Sequence, residues 1–178
     1  QWAPCVLARP SSRLMALTQD IVATYRGPSR VMARFLSQGR NEVRALLFLL
    51  ISGLLIFVAA SPFQARQAQL NPEGPLAVRL YWSAFLWIFI MPLLMYGFAA
   101  AIWVVSRVSR AGVSGFDIRL TLFWSLLAST PVLLLLGMVA GLIGPGIQAQ
   151  VVGILWLCVF GWFWISGLLT AQARGASI

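Results

Sequence analysis

The chain contains no histidine and no lysine, only two cysteines (Cys5 and Cys158) and only four acids, Asp20, Glu42, Glu73 and Asp117. Without histidine, and with Cys158 in the middle of an apolar run and Cys5 near the chain start, neither a disulfide nor a Cys/His metal cluster is expected. Cofactors are expected to be none. Catalysis at membrane depth needs a nucleophile with a base or a metal beside it. Ser52, Ser83, Ser125, Ser129, Thr130 and Ser166 offer hydroxyls, yet the apolar runs holding them contain no Asp, Glu, Lys, Arg or His to activate one. The sequence therefore points away from an enzyme. It points equally away from an ion or proton pathway, which shows ionisable groups within the spans.

Charge is scarce in total and one-sided in kind. Charged residues make up 10% of the 178 positions, against about 25% in a soluble domain, and hydrophobic residues make up 60%. Mean hydropathy is +0.87, and an ordinary soluble globule is excluded. Thirteen arginines against four acids leave a net charge of +9. A nucleic-acid surface would interleave exposed aromatics with its basic groups. Here nearly all the aromatics lie inside apolar runs, so no nucleic-acid partner is expected.

Four such runs are present, at 45–63, 80–106, 120–143 and 151–170. Roughly 20 apolar residues cross a hydrocarbon core of about 30 Å, so all four qualify as spans, and the predicted fold is an all-α, polytopic transmembrane bundle over 45–172. The second run, at about 1.5 Å per residue, is too long for an upright helix and is expected to tilt or bend. Arginine counts set the orientation. With the N-terminus inside, the inner segments carry 11 arginines and the outer loops only Arg66 and Arg79; omitting residues 1–14 leaves nine against two. Both termini are thus expected in the cytoplasm and the chain in the inner membrane of a cell, with 173–178 as a short cytoplasmic tail. Residues 1–14 show no such pattern and are read as a non-native or unstructured leader.

Residues 15–44 read as a basic amphipathic region. Leu17, Ile21, Val22 and Tyr25 share one helical face; beyond the Gly27-Pro28 break, Val31, Met32, Phe35 and Leu36 share another, with arginines opposite. This places Arg26, Arg30, Arg34, Arg40 and Arg44 as candidate contacts for anionic headgroups. The apolar faces can lie on the membrane, pack on the bundle, or do both. Pro92 and Pro131 fall inside spans, where each removes a donor and crowds the carbonyl four residues back, Ile88 and Leu127. Static kinks are expected, with the Ser129 and Thr130 hydroxyls available to the freed carbonyls. Gly97 with Ala101, and Gly137 with Gly141, set small residues four apart, a spacing that admits close helix contact within the chain or with another subunit.

Four stretches taken together resemble bacterial members of the Yip domain family, polytopic membrane proteins related to eukaryotic Rab/Ypt-interacting proteins. They are Pro28-x-x-x-Met32-x-x-Phe35-Leu36, the loop Ser109-Arg110-Ala111-Gly112-Val113-Ser114-Gly115-Phe116, Trp124-Ser125-Leu126-Leu127-Ala128-Ser129-Thr130-Pro131, and Trp164-Ile165-Ser166-Gly167-Leu168-x-x-Ala171-Gln172. The resemblance implies an integral helical bundle with a cytoplasmic N-terminus. Two departures limit it: four spans are counted where the family usually has five, and Tyr25-Arg26-Gly27-Pro28 stands near the place of the eukaryotic Asp-Leu-Tyr-Gly-Pro motif. GTPase binding is not carried over. The functional expectation is a non-enzymatic scaffold or accessory subunit whose partners are membrane lipids and either another membrane protein or further copies of itself. The alternative is a small channel or carrier for a neutral or apolar solute, which requires Ser83, Ser125, Ser129 and Thr130 to line one continuous polar cavity.

Overall fold

A computed structural model describes residues 10–71, 75–108 and 113–175. Every regular element among them is helical: α1 (Pro10–Arg26), α2 (Pro28–Ser37), α3 (Glu42–Leu70), α4 (Leu76–Phe85), a π turn (Leu86–Ile90), α5 (Met91–Val108), α6 (Gly115–Ala128), α7 (Thr130–Leu142) and α8 (Ile147–Gly175). Of the expected leader, 10–14 belong to α1 and 1–9 lie outside the described residues. So do loop positions 72–74, the part of the family-like loop at 109–112, and tail positions 176–178.

Three helices are long and apolar enough to cross a membrane: α3, the continuous α4–π–α5 unit and α8. The pair α6–α7, bent by 45°, makes a fourth when taken as one span. The all-α multi-pass architecture is thus borne out. Residues 120–143, however, do not form one straight helix. The break sits at Ser129, two residues before Pro131, because proline fits the first turn of a new helix, where its missing N–H goes unused. The long second span takes up its proline differently. A π turn over Leu86–Ile90 precedes Pro92, and widening the helix there accommodates the ring that would otherwise strike the Ile88 carbonyl.

The first span is also longer than its apolar run. Asn41 caps α3, its Oδ1 accepting from the Arg44 amide at 3.2 Å, and Glu42 suits the positive helix start. The helix then passes through Pro62 to Leu70. At about 1.5 Å per residue its 29 residues make a helix longer than the roughly 30 Å of a hydrocarbon core.

α6 is the axis of the bundle. Phe116, Ile118 and every residue from Leu120 to Ala128 are buried, with α3, α5 and α8 packed around it and α1 touching it. α2 lies across α8, and the Phe35 ring meets Trp124 of α6 with centroids 4.6 Å apart. Small residues determine how near the helices come. A Cβ on Gly137 would sit 1.9 Å from the Ala59 carbonyl oxygen, and one on Gly141 would sit 2.4 Å from Pro62 Cβ, so α7 lies almost backbone to backbone on α3. Gly97 is the opposite case, with nothing within 4 Å of the corresponding point, and Ala101 beside it is exposed. The first small pair is an intrachain contact; the second faces out of the bundle.

Candidate functional site

The basic entry is held rigidly. Val31, Met32, Phe35 and Leu36, the apolar face of α2, are all buried, so this face packs on the bundle and is not presented to lipid. α1 is pinned through Thr24, whose hydroxyl accepts from Trp124 Nε1 at 3.2 Å and donates to the Asp20 carbonyl at 2.7 Å. Tyr25 stands edge-on to Phe163, centroids 4.9 Å apart, and burial pushes its phenol above the ordinary value.

The five arginines divide into two groups. Arg34 pairs with Asp20. Arg44 donates to Gln38, to the Phe35 carbonyl at 3.3 Å and to the Gly39 carbonyl at 3.1 Å, closing the C-terminal end of α2 where carbonyls lack helical partners. Both are structural links. Arg26, Arg30 and Arg40 are exposed. Arg26 and Arg30 have no side-chain partner among the described residues and flank a groove of about 460 Å³ at the α1–α2 break, with Val22 and Val31 on its walls. Arg40 and Arg174 lie within the field of Asp117, next to a second groove where Arg119 pairs with Glu42. The basic rim is thus partly neutralised at α6 and bare at the α1–α2 elbow.

The hydroxyls of the spans do not converge. Ser125 donates to the Thr121 carbonyl at 2.7 Å, Ser129 to Leu126 at 2.9 Å and Thr130 to Leu127 at 2.7 Å, while Trp156 Nε1 donates to Ser129 Oγ at 3.2 Å. Thr130 thereby satisfies the carbonyl that Pro131 frees. Ser83 Oγ is buried without a partner, on α4. Ser125, Ser129 and Thr130 thus bond separate neighbours, and none of the four hydroxyls lines any of the clefts described here. Among the described residues no three His, Cys, Asp or Glu come together as a metal site.

Two features were not anticipated from sequence. Arg66, expected simply in an outer loop, donates to the Leu142 carbonyl at 3.1 Å and the Gly141 carbonyl at 3.5 Å, closing α7 beside Gly144, whose φ of 106° needs glycine. The second is an apolar cleft of about 320 Å³ between α3, the π turn, α7 and α8, floored by Leu126. No local pattern marks either, since both arise where residues distant in sequence meet. Comparison with family models, curated proteins and solved structures finds no match to this chain.

Proposed function

We propose that the protein is a non-enzymatic, Yip-like integral protein of the inner membrane that acts as a scaffold or accessory interaction subunit, with both termini cytoplasmic. The observation that carries this reading is the α1–α2 entry. It is fastened to the bundle through Thr24, Phe35 and Arg44 while Arg26 and Arg30 stay outward and unpaired. A basic groove fixed to a membrane anchor presents charge at a set height, which suits anionic headgroups or an acidic surface of a neighbouring membrane protein. Apolar runs without ionisable groups, and hydroxyls that share no cleft, give the carrier reading no polar path.

Purification in mild detergent from the native membrane tests the proposal. Copurification of anionic lipid or of a stoichiometric partner is expected, and Arg26→Gln with Arg30→Gln should reduce it. A lone monomer that brings neither lipid nor partner would overturn it.

A further inference from the structure

α6 fills the centre of the bundle only as far as Ala128; beyond it α7 leaves at 45°. The π turn and α8, which supply Trp87 and Trp156 to the space beside α7, form no packed interface. The space left is the apolar cleft, with Ala60 on α3 and Ala140 on α7 as its walls, and Trp87, Met91 and Trp156 below. At its far end, one turn past Phe63, the Arg66 guanidinium binds the carbonyl next to Ala140, and its Nε is buried without a partner.

An empty apolar void forfeits dispersion contacts on every wall, and what surrounds it at this depth is acyl chain. The volume, near the low end of roughly 300–1,000 Å³ for ligand pockets, admits a chain segment but not a headgroup. A headgroup would remain at the rim, where Arg66 offers the positive charge for a phosphate. We infer that the cleft holds one acyl chain of a phospholipid from the leaflet opposite the arginine-rich end, with the lipid phosphate on Arg66. The inference is independent of the scaffold reading, because it concerns the other face of the membrane and other residues.

The test uses the full chain in nanodiscs containing trace phosphatidylglycerol with a photoactivatable acyl chain, followed by peptide mapping. Adducts are expected to concentrate on Ala60, Trp87, Met91 and Trp156, above those on the more exposed Leu93 and Leu169. Ala60→Phe with Ala140→Phe should lower the Trp87 and Met91 adducts by about tenfold and leave Leu93 unchanged. Arg66→Gln should abolish a preference for phosphatidylglycerol over phosphatidylcholine that Arg66→Lys retains. Adducts that follow exposure, led by Leu93 and Leu169 in the wild-type protein, would overturn the inference whether or not the variants fold. So would an unchanged Trp87 and Met91 yield in the filled variant.

Discussion

Gly137→Ala is the sharpest probe of how the bundle is assembled. The added methyl carbon would begin 1.9 Å from the Ala59 carbonyl oxygen and 2.6 Å from its carbon. Ordinary contact at about 3.5 Å requires α7 to retreat by roughly 1.5 Å along an interface that also holds Gly141 against Pro62. Neither neighbour can yield by changing a rotamer, because the Ala59 atoms are backbone and the Pro62 Cβ belongs to a closed ring. Overpacking of this kind costs about 1–3 kcal/mol and sometimes more, so the upper end is expected here, near a hundredfold in the folding equilibrium. Gly97→Ala supplies the contrast. That position is open, and replacing a helical glycine by alanine there should be neutral or stabilising by up to about 1 kcal/mol. Equilibrium unfolding in mixed micelles, or midpoint temperatures of the detergent-solubilised monomer, would report both. Equal stability of the two variants would refute the packing argument. So would a loss confined to Gly97→Ala, since that would place the critical small-residue contact between chains.

Further outcomes follow from the same contacts. Thr24→Val should leave the Trp124 indole N–H buried without a partner and cost about 1–3 kcal/mol, read by the same unfolding assay; no change would mean that α1 is not fastened there. Arg44→Ala should lower stability by about 1 kcal/mol through the open end of α2, whereas Arg30→Ala should change it by less than about 0.5 kcal/mol, and a reversed order would undo the division of the arginines. Single cysteines at Ser37 and Ile147, in a background without Cys5 and Cys158, should react with an impermeant maleimide from opposite sides of sealed vesicles; labelling from one side would contradict the four-span count. Cys158, exposed on α8, should react with a lipid-soluble maleimide and resist a water-soluble one.

Much of the molecule was legible before any coordinates. The four apolar runs mark the membrane-length helices, and the Gly27-Pro28 break marks the boundary between α1 and α2. Lengths were legible less well. α3 ends at Leu70, seven residues past its apolar run, because the Gln, Ala and Arg residues beyond Phe63 are good helix formers. Pro62 gave no warning of its contact with Gly141, and Arg66 none of its place at the end of α7, since both depend on the parallel alignment of α3 and α7.

Sequence alone determined that this chain forms apolar helices of membrane-crossing length, because each stretch must satisfy its own backbone in lipid. It also shows that 11 of the 13 arginines fall before the first apolar run, between the second and third, or after the fourth, against Arg66 and Arg79 between the first and second. Only the tertiary structure decided that α6 is the central helix, that one of two similar glycine patterns is an interface, and which arginines remain unpaired. The physical reason is that, in a bilayer, apolar side chains are equally at home against lipid or against protein. Hydropathy therefore distinguishes spans from loops but not a buried helix from a lipid-facing one, and close contacts such as Gly137 on Ala59 make that choice.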